Sequence, residues 1–265
     1  HTYCHVCENY VSVAGETKQI EKKPMNKDLN FYDNSITSAI SDRGITSSVC
    51  LKYGVRQASD KHFYPYYDNE GTLTAIKTRQ VTDKNFSIAG DFGSATLFGQ
   101  NLFPAGGKYL TICEGELDAL AVYQMTGSKY PAISIRNGAS AAVKDCKANY
   151  EYIDSFENIH LCFDGDEAGQ KACVAVAELF GSKAKIMKMR QGYKDACDYL
   201  KHERNKEFIA DWWASEKYVP DGIIEGSTLW DIVSKPMEKA EVNYPYEGLN
   251  KLTYGIRKGE LVMVT

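Results

Sequence analysis

The sequence predicts an α/β fold, a mainly parallel sheet with crossover helices. Two observations carry that prediction. From Lys108 onward, apolar runs of strand length alternate with helix-like segments, the pattern of strand–helix–strand units. Two of those runs also end on a carboxylate with a helix-like segment directly behind it. They are Tyr109-Leu-Thr-Ile-Cys-Glu114-Gly-Glu116-Leu-Asp118 and His160-Leu-Cys-Phe-Asp164-Gly-Asp166-Glu-Ala-Gly169. The 265 residues are 43% hydrophobic and 25% charged, ordinary values for a soluble globular chain of one or two domains.

Taken in order, residues 1–15 read as the remnant of a small zinc-binding unit, a truncated zinc ribbon. Cys4 and Cys7 have ligand spacing but supply only two of the four ligands a structural zinc needs. Residues 16–30 are polar and charged without an apolar period, which reads as a linker. Residues 31–107 read as an α+β subdomain. It opens on a short helical pattern of Ile36, Ile40 and Ile45 near a Gly44 stop. Strands at 62–68 and 72–79 follow as a hairpin about Asn69-Glu-Gly71.

Residues 108–218 form the parallel-sheet region. Strands are predicted near 108–113, 131–135, 158–163 and 184–189, and helices near 116–126, 140–148, 167–180 and 205–216. Residues 219–265 hold a short linker at Pro220-Asp-Gly222, a helix near 228–240 and a last strand at 260–264.

The net charge of −4 gives no global basic footprint, so any nucleic-acid contact must come from a local basic surface. No apolar run reaches the roughly 18 residues that span a membrane, and the polar start is no signal peptide. The chain lacks an initiating Met and stops inside an apolar run, which reads as a fragment cut at both ends. Of eight cysteines only Cys4 and Cys7 are spaced as ligands. Cys113, Cys162 and Cys173 sit in apolar contexts, as reduced thiols of a cytosolic chain would.

Carboxylates at the ends of neighbouring parallel strands gather at one sheet edge, where open α/β folds bind ligands. Hard oxygen donors with little His or Cys suit Mg²⁺ better than Zn²⁺. Two such ions are a recurrent device of phosphoryl transfer.

The two acid motifs resemble the Toprim domain of primases, topoisomerases and some nucleases. Further motifs narrow the resemblance. Cys4-His-Val-Cys7, Asp83-Lys84-Asn-Phe86, Gly138-Ala-Ser-Ala-Ala142, Ala148-Asn-Tyr-Glu-Tyr152, Lys194-Asp195-Ala196 and the tail from Gly248 to Thr265 look like the bifunctional primase–helicases of short-tailed phages. The mitochondrial Twinkle helicase is a relative whose line has typically lost the zinc cysteines and primase acids.

The resemblance implies a DNA-directed RNA primase. It makes Glu114, Asp164 and Asp166 the best Mg²⁺ ligands and catalytic residues, with Glu116, Asp118 and Asp195 in the second rank. In some Toprim enzymes the first Glu is proposed as an acid or base instead. Plain helix capping is the competing reading of these acids, accepted for Glu167. Asp118 lies four positions after Glu114 and shares a helix face with it if the helix starts early. Lys77 and Arg79 alternate on one strand and share a face. With Lys84 and Lys194 they are candidates for the triphosphate or template backbone, Lys77 and Lys84 in catalytic roles, against a solubilising edge-charge reading. Ser140, before a helix, is either a phosphate contact or a cap. Tyr64, Tyr66 and Tyr67 are either a stacking platform or sheet packing, and Trp212 and Trp213 pack the helix that carries them.

The implied partners are single-stranded DNA template, ribonucleoside triphosphates and RNA primer, in the cytoplasm of an infected bacterium and with no membrane. Zn²⁺ and a hexameric helicase ring belong to the full-length protein, and this fragment is expected to be monomeric. The other functions left open are a Toprim nuclease or topoisomerase, and a non-catalytic, DNA-binding half of a Twinkle-like helicase.

Overall fold

The computed structural model describes residues 29–83, 85–220, 226–235, 240–256, 258, 261 and 263, and the backbone of three short strands before them. Those strands, β1 (Thr2–Cys4), β2 (Asn9–Val11) and β3 (Thr17–Lys18), pair antiparallel in that order. Two residues of the stretch read as linker thus join a small sheet. Cys4 ends β1, while Cys7 and Lys84 lie outside the described residues.

Next come α1 (Asn30–Asp33), α2 (Ser47–Tyr53), β4 (Arg56–Ala58), β5 (Lys61–Tyr67), β6 (Leu73–Gln80) and β7 (Phe86–Gly90). The four strands form an antiparallel sheet in chain order, and the predicted hairpin is β5–β6. The helix expected from Ile36, Ile40 and Ile45 is absent among the described residues. Ile36 bridges to Gln57, and Ile40 bridges to Ile45 around a short 3-10 turn. Stiff β-branched side chains favour the extended pairing, and Gly44, at φ +69°, closes the turn. The helix forms later, at α2.

The parallel region contains β8 (Gly107–Cys113), α3 (Glu116–Met125), β9 (Ala132–Ser134), α4 (Ala142–Ala148), α5 (Tyr150–Asp154) and β10 (Phe156–Cys162). It continues through α6 (Glu167–Phe180), β11 (Ala184–Ile186), α7 (Ala196–Lys201), α8 (Asn205–Trp213) and β12 (Glu216–Lys217). The strand order is β12-β11-β10-β8-β9. Only β12 is antiparallel. The helix read to residue 216 therefore stops at Trp213, because Glu216 and Lys217 pair with the edge of β11.

Both faces of this sheet are buried, and the side chains alternate between them. Leu110, Ile112, Ile159 and Leu161 pack with Cys146, Val176 and Phe180 of α4 and α6. Cys113 and Cys162 pack with Leu120, Leu200 and Trp212 of α3, α7 and α8. Burial on both sides makes the strands read as unbroken apolar runs. β9 flanks β8 on one side and β10 on the other. The chain reverses direction across the sheet there, which opens a crevice at the carboxyl ends of β8 and β10.

Residues 1–218 and 219–265 form separate compact units. The second holds α9 (Gly226–Val233), α10 (Glu247–Thr253) and a bridge between Val242 and Ile256. The helix expected near 228–240 is α9, described to Val233. Residues 236–239 and most of 260–264 lie outside the described residues.

Candidate active site

β8 and β10 run in register with Cys113 opposite Cys162, so Glu114 and Asp164 emerge at the same edge. Glycines permit the close approach. A Cβ on Gly169 would stand 2.5 Å from the Asp164 carbonyl oxygen, and one on Gly115 would stand 2.8 Å from the Asp118 carboxylate. Glu114 Oε1 accepts the backbone N–H of Ala139 at 3.2 Å, while its Oε2 is buried and without a partner.

Asp166 caps α6, accepting the N–H of Gly169 at 2.9 Å. That bond holds its carboxyl below the usual range. Its other oxygen lies 3.5 Å from the Lys194 ammonium, which also stands 3.1 Å from Asp164 Oδ2. Asp118 accepts the N–H of Cys197 at 3.1 Å. Asp195 caps α7 through the N–H of Asp198 at 2.8 Å. The capping reading is therefore correct for Asp166 and Asp195; Asp166 stays beside Lys194, and neither acid lines the cleft.

Burial raises the pKa of Glu114, Asp118, Asp164 and Asp195. Like charge adds to it. Asp164 pushes Glu114 up, and Asp195 and then Asp164 push Asp118 up. Lys194 offsets part of the rise at Asp164. Asp164 in turn raises Lys194 above the usual lysine value.

The opposite wall carries Lys77, Arg79 and Phe86 of the antiparallel sheet, backed by residues of α3, α4 and the end of β9. Lys77 Nζ donates to Glu116 Oε1 at 2.6 Å and to the Arg136 carbonyl at 2.8 Å. The Tyr66 hydroxyl donates to the same Glu116 oxygen at 2.6 Å. Arg136 forms a short ion pair with Asp145, at 2.8 Å, and donates to the Phe92 and Ala95 carbonyls at 3.0 and 2.9 Å. Lys77 and Arg79 share a face, 4.9 and 5.9 Å from the exposed ring of Phe86 on β7. Between the walls lies a cleft of about 620 Å³. Lys77, Arg79, Glu114, Glu116, Asp118, Asp164 and Lys194 all line it.

Ser140 does not join them. It sits exposed in a 3-10 turn, and the residue at the N-cap of α4 is Ala141. Its neighbour Gly138 lines the cleft instead. Tyr64 and Tyr66 are fully buried, so they pack the sheet and offer no stacking surface. Sequence reasoning missed Tyr66 as a hydrogen-bond donor, and it missed Arg136 and Asp145 altogether. Arg136 ends an apolar run much as the acids do, which is the one local signal it leaves.

The donor set fits a hard divalent cation. It offers carboxylate oxygens, mutual repulsion that a cation relieves, and a buried Glu114 oxygen with nothing bound to it. Among the described residues no three acid, His or Cys side chains already converge as a ready chelate.

Fold and site together define a Toprim-class α/β domain, and a Toprim-like family pattern covers residues 111–200. The chain belongs to the phage primase–helicase family. It is 37% identical over 284 aligned positions, its full length, to the DNA helicase/primase of enterobacteria phage T3, of which it spans 50%. The crystal structure of the primase fragment of bacteriophage T7 primase-helicase matches with TM-score 0.66 and 35% identity, over 80% of this chain and 90% of that one. The bacteriophage T7 primase domain seen with lagging-strand DNA polymerase, an RNA/DNA hybrid and dTTP matches with TM-score 0.65 and 36% identity. That match covers 73% of this chain and all of that one. The chain thus spans about half the length of the curated relative it matches.

Proposed function

We propose that this chain synthesises short RNA primers on single-stranded DNA, as the primase part of a primase–helicase. One observation carries the reading: a cleft with under-compensated acids on one wall and a lysine–arginine face on the other. Glu114, Asp164 and Asp166 would hold two Mg²⁺ ions, with Asp118 and Asp195 beside them. When bound, such ions acidify the attacking hydroxyl and neutralise the departing pyrophosphate.

The chain's own residues do the rest. Lys77 and Arg79 bind phosphate oxygens of the nucleotide or template, and the resemblance adds Lys84 to the nucleotide contacts. Glu116 spends Oε1 on Lys77 and Tyr66, so it positions Lys77, with Oε2 left for a metal. In the whole protein Cys4 and Cys7 would complete a zinc site that reads the template. A helicase region would form the hexameric ring, in the cytoplasm of the infected bacterium. No helix among the described residues is long and apolar enough to cross a membrane.

The test is Mg²⁺-dependent extension of a short RNA oligonucleotide on single-stranded DNA. Wild type should extend it, and Asp164→Ala should lose about 10³-fold or more. Intact DNA binding with no extension by either protein would instead support a non-catalytic, ring-supporting half.

A further inference from the structure

Lys194 stands where a metal ion would have to compete with it. Its ammonium lies 3.1 Å from Asp164 and 3.5 Å from Asp166, two of the three acids assigned above to Mg²⁺. Its main chain is held without help from that contact. The Lys194 carbonyl accepts the N–H of Gly165 at 2.8 Å, and the Lys194 N–H donates to Asp198 at 2.9 Å. Its side chain is 59% exposed and lines the cleft. A lysine head is a compact charge on a flexible four-carbon stem. The backbone is thus fixed at the Asp164–Asp166 turn while the charge is free to leave it.

We infer that Lys194 is a built-in counter-cation, neutralising Asp164 and Asp166 in the metal-free protein and displaced into the cleft when a divalent ion takes their oxygens. The inference rests on the metal reading of those acids. Cation and ammonium exclude one another because both need the same two carboxylates, and like charges repel at that distance. Removing the ammonium should then do two opposite things. It should leave the acids less compensated without metal, and it should make the metal site easier to fill. A lysine that only holds the turn together would do neither, since the turn is held by its backbone.

Mn²⁺ is the probe. Free Mn²⁺ is counted by electron paramagnetic resonance against the whole chain, without nucleotide, for wild type, Lys194→Gln, Lys194→Arg and Asp164→Asn. Lys194→Gln should bind roughly fivefold more tightly or better. Lys194→Arg, which keeps the charge, should stay near wild type, and Asp164→Asn should bind far more weakly. Melting curves give a second readout. Lys194→Gln should melt below wild type without metal and gain more from added Mn²⁺. Unchanged or weaker Mn²⁺ binding by Lys194→Gln, with Asp164→Asn still impaired, would overturn the counter-cation and leave the metal reading standing. Wild-type binding by Asp164→Asn would remove the metal from these acids, and the inference with it.

Discussion

The two walls of the cleft treat charge by opposite rules. Behind the lysine face, where the antiparallel sheet meets α3, α4 and the end of β9, each buried charge is answered. Lys77 meets Glu116 and a carbonyl, Tyr66 adds a hydroxyl, and Arg136 meets Asp145 and two further carbonyls. On the parallel-sheet edge Glu114, Asp118, Asp164 and Asp195 are raised by burial and then by neighbouring carboxylates, with Lys194 offsetting Asp164 and Arg43 offsetting Asp195 only in part. A satisfied network stiffens a scaffold. A desolvated, under-compensated group in a cleft marks the place where a ligand completes the site. The geometry thus sets a satisfied network apart from the candidate ligand site.

The largest test of that division is Arg136→Ala. It leaves Asp145, 1% exposed, as a buried charge without its partner, and strips the Phe92 and Ala95 carbonyls of their donor. The expected loss is about 3–5 kcal/mol of folding stability, measured by denaturant unfolding. A loss of only a few tenths would mean that the network on this wall is not the support described.

The parallel sheet was legible because strands buried on both faces leave unbroken apolar runs, and the acids stood where Cys113 and Phe163 end them. Edge strands left no such mark. β7 has three exposed residues of five, and β12 has only two residues, both exposed. Ile36, Ile40 and Ile45 misled because helical spacing can also arise from residues bridging around a turn. The supporting wall was the least legible part. Tyr66 reaches Glu116 across fifty positions and Lys77 reaches Arg136 across fifty-nine. One chain carries no signal of pairing at that range. The acids announce themselves by position, but the groups that answer a charge are fixed only by the fold.

A second test uses the sign of the pH response. His160 is fully buried, stacked 4.1 Å from the Trp212 ring, with Nε2 unpartnered. Burial pushes its pKa down to about 3, against about 6.5 in an unfolded chain. Below pH 6.5 the unfolded chain binds a proton that the fold refuses, so stability falls as pH drops toward 3. The fall between pH 7 and pH 5 should be about 2 kcal/mol. The cleft acids act the other way. Their folded pKa values are raised, so the fold takes up their protons first and gains stability as pH drops through those values. His160→Gln should therefore lose the fall between pH 7 and pH 5 and expose the opposing rise from the acids. An unchanged profile would mean that the acid response has another source.

The smallest effect is the sharpest probe of the open wall. Asp118→Asn keeps an oxygen for the Cys197 N–H and the shape of the side chain. It removes one charge from the group containing Asp195 and Asp164, the neighbours that push Asp118 up after burial itself. Almost any polar change at a satisfied buried site costs stability. Here, the metal-free protein should gain roughly 0.5–2 kcal/mol, read from unfolding curves in chelator near pH 8. Primer extension should fall in the same variant, since the discarded repulsion is what a divalent ion would relieve. A loss of stability would show that the Asp118 charge is already answered inside the fold, and the contrast between the two walls would fail there.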